Sequence, residues 1–403
     1  MGLSTSLETA LPSRQPATNR AVVPIALAAL TATGLQAMVS GRQAALFLVG
    51  CAAGVVLYHA AFGFTSAWRV LISDRRGAGL RAQMLMLALT CAVFFPVLAA
   101  GTFFGAPIRG SVSPAGIGVL GGAFLFGVGM QLGGGCASGT LYSAGGGSTR
   151  MFVVLAAFIA GSLLGTAHAP WWAALPSWAP TSIVNLWGPV AALAASLAVF
   201  GGIAALTMWV ERARHGVVSG GRRDGASHWL RGPWPLVAGA VGLALVNIAT
   251  LAISGRPWGV TSAFALWGAK AASVMGVPVE TWPYWSTPAQ AAALKASVFE
   301  DATSVMNVGI MLGALVAAMA AGRFAPAWRI PGRSLVAAVV GGLLLGYGAR
   351  AAYGCNIGAY FSGIASGSLH GWLWLVAAFA GNVAGTRLRP MFDLSVEKTR
   401  TAC

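Results

Sequence analysis

Charged residues are scarce in this chain of 403 residues, where Lys, Arg, Asp and Glu together make up only 8% of the sequence. Hydrophobic residues make up 57%, and apolar runs of about 20 residues recur along the chain. Each such run is long enough to cross the hydrocarbon core of a bilayer, which is about 30 Å thick. The composition therefore predicts an all-α, polytopic membrane protein that contacts the lipid bilayer directly.

Acidic residues are the rarest charged type, with nine Asp and Glu against 25 Lys and Arg. No Asp or Glu occurs between Asp74 and Glu211, so we do not expect a carboxylate relay for protons or cations in this part of the membrane. The net charge of +16 would suggest nucleic-acid binding in a soluble protein. Here the basic residues lie in short loops between apolar spans, so we expect them to set orientation and we expect no nucleic-acid partner.

Cysteines are also few, and no two of them form a CxxC pair. The scattered spacing excludes a disulfide framework, and we expect neither a metal site nor a cofactor. We assign no function to Cys51, Cys91 or Cys403. The two cysteines that remain, Cys136 and Cys355, each lie in a glycine-rich stretch between apolar runs.

Apolar runs bounded by Arg, Gly and Pro predict about ten membrane spans, with nine equally compatible. They lie near 21–40, 43–60, 81–100, 115–133, 151–168, 188–210, 234–253, 303–321, 334–350 and 371–388. We predict a disordered cytoplasmic tail over 1–20 without a signal peptide, membrane repeats over 21–210 and 234–390, a cytoplasmic linker over 211–233, and a second cytoplasmic tail over 391–403.

The distribution of basic residues predicts the orientation. With a cytoplasmic N-terminus and ten spans, both termini and the 211–233 linker lie in the cytoplasm. The basic residues on the outer side are then Arg42, Arg109, Arg256, Lys270, Lys295 and Arg350, and the rest of the 25 lie inside. This bias agrees with the positive-inside rule and favours an orientation with both termini in the cytoplasm.

The two cysteine-containing stretches form an internal repeat. "GGAFLFGVGMQLGGGCASGTLYS" aligns with "GGLLLGYGARAAYGCNIGAYFS" at a constant separation of 219 positions. The matched pairs are Gly127 with Gly346, Gly129 with Gly348, Gly135 with Gly354, Cys136 with Cys355, Gly139 with Gly358 and Ser143 with Ser362. A weaker pair is "GFTSAW" at 63–68 with "GVTSAF" at 259–264. The spans before the two cysteines run in opposite directions in the predicted topology, so the repeats are inverted, as in many transporters.

Glycines beside each cysteine predict a break in a membrane helix. Gly135 and Gly354 permit the backbone to leave the helix, and a short new helix is expected to begin beside each thiol. Backbone at membrane depth that leaves a helix must line a cavity or be buried in protein, so a paired break indicates a pathway. The positive ends of the new helices favour an anion.

Neutral hydrogen-bond donors surround the two cysteines, and no carboxylate lies in either motif. Such donors can bind an anion weakly enough to release it, as permeation requires. The predicted substrate path consists of Cys136, Cys355, Gly135, Gly354, Ser138, Tyr142, Ser143, Asn356, Tyr360 and Ser362.

The quoted motifs carry a resemblance to a known family. "GVGMQLGGGCASGTLY" and "GYGARAAYGCNIGAYFSGIASGSLHGW" resemble the two motifs of the YeeE/YedE sulfur-transport family, in its longer YedE-like form, and "GFTSAWR" resembles its upstream motif. The resemblance implies a bacterial inner-membrane protein of two inverted halves that takes up thiosulfate or a related sulfur or selenium compound. It implies cysteines at a constriction, Cys136 and Cys355 here, and a small cytoplasmic sulfur carrier of the TusA type as a partner.

Related sequences often have a cysteine before "FTSA", where this chain has Gly63, so Cys51 or Cys91 would have to supply any third thiol. Two further functions stay open at this point: a membrane sulfurtransferase that forms a cysteine persulfide, and a membrane partner that recruits soluble proteins. Neither motif places a base or an acid beside its cysteine, and this favours permeation without enzymatic chemistry.

Overall fold

The computed structural model describes residues 17–219 and 229–396. Most of these residues are helical, and the strands among them form only two short antiparallel pairs. Strand β1 (Thr102–Phe103) pairs with β2 (Ala106–Pro107), and β3 (Ala115–Gly116) pairs with β4 (Ser177–Trp178). The predicted all-α fold is therefore confirmed.

The helices are numbered in chain order. Those before the linker are α1 (Ala17–Met38), α2 (Gly41–Ala60), α3 (Phe64–Asp74), α4 (Ala78–Ala100), α5 (Ile117–Gly133), α6 (Ala137–Gly145), α7 (Thr149–Ala167), α8 (Ala169–Ala173) and α9 (Ile183–His215). Those after it are α10 (Leu236–Ser254), α11 (Thr261–Val274), α12 (Pro288–Lys295), α13 (Ala302–Ala320), α14 (Gly332–Ala351), a π-helix (Asn356–Phe361), α15 (Ser362–Ala365) and α16 (Leu369–Leu388). Short 3-10 turns lie at Val279–Thr281, Val298–Glu300 and Arg389–Phe392.

Within the described part of the chain, nine helical segments are long and apolar enough to cross a membrane. The protein is therefore a multi-pass membrane protein. The predicted span 371–388 coincides with a tenth helix, α16, which is less apolar than these nine because it carries His370, Asn382 and Arg387. Three of the nine segments combine two helices across a break: 41–74, 117–145 and 332–365.

Glycine contacts show that the helices before the two cysteines run antiparallel. Gly122, early in α5, packs on Gly348 and Ala352 at the end of α14. Gly129, further along α5, packs on Gly341 and Leu345, which come earlier in α14. An inverted repeat requires this antiparallel arrangement.

The same contacts are repeated with the halves exchanged. Gly127 of α5 lies so close to Ala378 of α16 that an added Cβ would overlap the Ala378 carbonyl oxygen. Gly346, the repeat partner of Gly127, packs in the same way on Phe158 of α7. Helices of one half thus pack mainly on helices of the other, and small residues permit the close approach. The inverted repeat is confirmed.

The two halves interlock, because α2 packs on α13, α4 on α10 and α5 on both α14 and α16. The exact boundaries of the two membrane repeats therefore stay predictions. α1 begins at Ala17, so it takes in the last four residues of the predicted 1–20 tail, and α9 continues to His215 into the predicted linker. Residues 1–16, 220–228 and 397–403, Cys403 included, lie outside the described residues.

Candidate functional site

The first cysteine motif is a broken helix. α5 ends with Gly134 in the left-handed region (φ +87°), a conformation that glycine adopts without strain. The chain is extended at Cys136, which is the N-cap of α6. The predicted break and the restarted helix beside the thiol are both present. The left-handed residue is Gly134, one position before the predicted Gly135.

The second motif is broken at the equivalent place, with a less regular geometry. Tyr353, 219 positions after Gly134, is left-handed (φ +57°), and Gly354 follows with φ +149°. Cys355 is extended and begins the π-helix, which continues into α15. Non-glycine residues with positive φ are uncommon, and π-helical turns occur frequently at functional sites.

Both glycines that the sequence singled out are tightly enclosed. A Cβ at Gly135 would lie 3.2 Å from Gly139 C and from Thr140 N. At Gly354 it would lie 2.8 Å from the backbone nitrogen of Ala359. A Cβ at Gly354 therefore collides with the first turn of the restarted helix, and a Cβ at Gly135 presses tightly against it.

The two breaks meet in the interior. α6, which follows Cys136, contacts the π-helix, which follows Cys355. The exposed fraction is 2% for Cys136 and 0% for Cys355, so both thiols are buried where the two breaks meet, a place called the constriction here.

Neutral polar groups surround Cys136. Its sulfur lies 3.4 Å from the Ser138 hydroxyl oxygen and accepts a hydrogen bond from the backbone N–H of Gly139, also at 3.4 Å. The Thr140 hydroxyl donates to the Cys136 carbonyl oxygen at 2.9 Å, so its hydrogen bond goes to the backbone of Cys136 and not to the thiol. The helix start thus provides donors, and no formal charge, at the sulfur.

Asn356, beside Cys355, is the most unusual polar group at the constriction. It is fully buried, and within residues 17–219 and 229–396 neither its amide nitrogen nor its amide oxygen has a hydrogen-bond partner. Buried polar groups almost always have partners, since leaving one unsatisfied costs about 1–3 kcal/mol. An unpartnered donor and acceptor beside a thiol is the arrangement expected where a permeating ligand supplies the missing hydrogen bonds.

The remaining predicted path residues fall into two groups. The Ser362 hydroxyl donates to the carbonyl of Trp258 at 2.7 Å and accepts from Asn247 at 3.2 Å, so it holds the second motif in place. Tyr360 stacks on Trp374, and its hydroxyl lies 3.5 Å from Gln83 Oε1. Tyr142 and Ser143 lie away from these residues, in a cavity of about 420 Å³ at the far end of α6.

A cavity on one side of the constriction reaches the second motif. This cavity, called the Arg350 cavity, measures about 420 Å³ and is lined by Thr261, Tyr284, Arg350, Gly354 and Gly358 among others. The guanidinium of Arg350 donates to Thr261 Oγ1 at 3.0 Å and to the Tyr284 hydroxyl at 3.3 Å. A fixed cation therefore lies in the cavity that leads to Cys355.

A second cavity lies beside the "GFTSAW" segment. This cavity, called the Gln83 cavity, measures about 270 Å³ and is lined by Gly63, Ser66, Arg76 and Gln83 among others. Gln83 is 1% exposed and accepts a hydrogen bond from Trp68 at 2.9 Å. Its amide nitrogen has no partner in the described part of the chain.

Sequence reasoning did not identify Gln83. A signal was available, because an amide inside the apolar run 81–100 is costly unless it has a use. The space beside Gly63 is filled by Ser66, since a Cβ at Gly63 would lie 2.5 Å from the Ser66 hydroxyl oxygen. The Ser66 hydroxyl therefore occupies the place that a side chain at position 63 would take.

Neither Cys51 nor Cys91 lies beside Gly63. Cys51 packs on Gly309 and Gly313 of α13. Cys91 is buried in α4, with its sulfur 3.9 Å from the carbonyl oxygen of Ile364.

Comparison with known proteins agrees with this geometry. The chain is 27% identical over 353 residues to the protein named thiosulfate transporter TsuA of Spirochaeta thermophila, covering 83% of this chain and 95% of that protein. It is 30% identical over 179 residues to the probable transporter YedE of Escherichia coli strain K12 and 31% identical to the YedE of Salmonella typhimurium. These two matches each span 43% of both chains, less than half the length of either YedE protein.

A family model described as sulphur transport matches residues 59–384, which include both cysteine motifs and the "GFTSAW" segment. The match covers most of the chain and begins at the end of α2, after the first candidate span. The chain therefore belongs to the sulphur transport family, the YeeE/YedE family that its motifs resemble.

Proposed function

We propose that this protein takes up a small sulfur-containing anion across the bacterial inner membrane, with thiosulfate as the first candidate substrate. The observation that carries the proposal is the meeting of Cys136 and Cys355 at a buried constriction, each at a helix break from an antiparallel half of the chain. The name of the Spirochaeta thermophila relative, a thiosulfate transporter, supports the choice of anion.

The proposed path runs from the Arg350 cavity past Cys355 and Cys136 to the Gln83 cavity. The guanidinium of Arg350 attracts the anion, because it is a fixed positive charge in a partly enclosed space. At the constriction the anion exchanges water for the thiols, the Asn356 amide, Ser138 and the restarted helix ends. Each of these groups donates without a full charge, so the anion is held weakly and can leave.

Thiols suit an anion with a terminal sulfur. The S–H group is a weak donor and sulfur is a polarisable, weak acceptor, so it pairs better with a soft sulfur atom than with the hard oxygens of sulfate. A selenium compound of similar size satisfies the same contacts, and the uptake assay must therefore compare the two.

Both termini and the 211–233 linker face the cytoplasm in this proposal, because the positive-inside rule requires it. The Gln83 cavity then opens inward, where a TusA-like carrier would receive the sulfur. A protease site inserted within 220–228 should be cleaved from the cytoplasmic side of membrane vesicles. Cleavage only from the periplasmic side would reverse the direction of the path.

The direct test is uptake of radiolabelled thiosulfate by proteoliposomes that contain the purified protein, with sulfate and selenium compounds as competitors. We expect saturable uptake that unlabelled thiosulfate inhibits far more strongly than sulfate. Uptake equal to that of protein-free liposomes would refute the transport proposal. Accumulation of a stable persulfide on Cys136 or Cys355 would favour a membrane sulfurtransferase instead.

A further inference from the structure

An apolar groove of about 910 Å³ opens on a side of the molecule away from the constriction. Its walls are α9 and α16, and α3 and α4 form its floor. Apolar side chains dominate the lining, among them Leu71, Met84, Leu206, Val376 and Phe379. Leu206 and Val376 are 58% and 67% exposed, which indicates that lipid reaches the groove directly.

One end of the groove is closed and the other carries charge. About one turn beyond the lining residues Ile203 and Leu375, Phe200 of α9 stacks on Trp372 of α16 with ring centroids 5.6 Å apart, so the two helices touch at this end. Arg75 and Arg387 line the opposite end, where α3, α9 and α16 terminate. Both arginines are exposed, and among residues 17–219 and 229–396 neither side chain meets a carboxylate.

The depth of the groove matches one leaflet of a bilayer. The groove-lining residues of α16 extend from Leu375 to Arg387, which corresponds to about 18 Å of helix. Half of the bilayer's hydrocarbon core is about 15 Å. A fatty acyl chain can therefore lie along the groove while its headgroup stays beside the two arginines.

We propose that this groove, bounded by Arg75 and Arg387, is a binding site for one anionic phospholipid of the membrane. The phosphate pairs with the two guanidinium groups, and an acyl chain fills the apolar part up to the Phe200–Trp372 pair. Basic pockets between membrane helices bind anionic headgroups in this way. The bound lipid would lie between α9 and α16 and contact both helices.

Native mass spectrometry of the purified full-length protein, equilibrated with phosphatidylglycerol or phosphatidylcholine, tests the site. We expect the wild-type protein to retain one phosphatidylglycerol in preference to phosphatidylcholine. The Arg75→Gln/Arg387→Gln variant should lose about 30-fold of this preference, since each arginine near a membrane surface contributes about fivefold. The matched control Arg212→Gln/Arg214→Gln removes two exposed charges from the last turn of α9, outside the groove lining, and should keep the preference.

A second variant separates the apolar part of the site from its charges. Leu206→Trp/Val376→Trp fills the groove from two exposed positions, and it should reduce retention of both lipids. Equal retention of the two lipids by the wild-type protein, or unchanged preference in the Arg75→Gln/Arg387→Gln variant, would overturn the proposal. Because the readout is lipid retention, its result is independent of whether the protein transports thiosulfate.

Discussion

The two cysteine motifs occupy equivalent places in the inverted repeat, yet they differ in how complete they are. In the first, glycine takes the left-handed position, Cys136 caps a regular α-helix, and Ser138 and Gly139 contact its sulfur. In the second, a tyrosine takes the left-handed position, a π-helix follows Cys355, and the Asn356 amide has no partner among the described residues. The strained and unsatisfied motif is the one that adjoins the Arg350 cavity.

In the proposed path, this difference gives the two motifs different roles. Strained backbone clusters at ligand-binding sites, and a bound ligand is one way in which a buried polar group obtains its missing partner. In this account the second motif makes the first strong contact with the anion as it leaves the Arg350 cavity. The first motif, whose hydrogen bonds are already formed, passes the anion on without large rearrangement.

The largest expected effect comes from the glycines at the breaks. Replacing Gly135 or Gly354 with Leu should abolish uptake, because the side chain enters the first turn of the restarted helix. Replacement with Ala should separate the two: Gly354→Ala should impair uptake more than Gly135→Ala, since Gly354 also has a φ of +149°. Initial uptake rates in proteoliposomes measure this, with Gly201→Ala as a control in open space. Normal uptake by both Leu variants would exclude a path through the breaks.

A smaller effect should distinguish Asn356 from another buried asparagine. Asn356→Leu should reduce uptake about tenfold or more while leaving the melting temperature unchanged or higher, because the amide has no described protein partner to lose. Asn247→Leu is the matched control. Its amide accepts from the Trp258 backbone N–H at 2.8 Å and donates to Ser362, so its loss should cost about 1–3 kcal/mol of stability.

Thermal unfolding and uptake should both be measured on the two asparagine variants. We expect Asn356→Leu to lose uptake without losing stability, and Asn247→Leu to lose stability. A destabilised Asn356→Leu protein, or one with undiminished uptake, would make the Asn356 amide a structural group and remove the proposed difference between the motifs.

The smallest expected effect concerns the Gln83 cavity. Ser66→Cys places a thiol beside Gly63, where the hydroxyl lies now. Because Ser66 lines the Gln83 cavity and not the constriction, uptake should change little. The new thiol should react with a membrane-impermeant alkylating reagent from the cytoplasmic side only, with Ser254→Cys, on the predicted outer side, as the control for the opposite face. Labelling of position 66 from the periplasmic side would contradict the assigned path.

Much of the fold was predictable. Long apolar runs specify the membrane spans, and the two motifs repeated 219 positions apart, on spans of opposite direction, specify two inverted halves. The site was predictable only in part. The breaks at Gly135 and Gly354 were predictable because glycine adopts backbone conformations that other residues avoid. The engagement of Ser362 with Trp258 and Asn247, more than 100 positions away along the chain, depends on packing that no local pattern encodes. The π-helix after Cys355 has the same sequence signal as an α-helix, so its type was not predictable either.

The central claim is that Cys136 and Cys355 contact the anion through hydrogen bonds, without covalent chemistry. The most direct measurement is thiosulfate uptake by purified Cys136→Ala, Cys136→Ser, Cys355→Ala and Cys355→Ser proteins in liposomes, with thiol alkylation in the presence and absence of substrate. We predict severe loss in both Ala variants, partial recovery in both Ser variants, and protection of the wild-type thiols by thiosulfate. Full uptake by both Ala variants would contradict the account and reduce the two cysteines to packing residues.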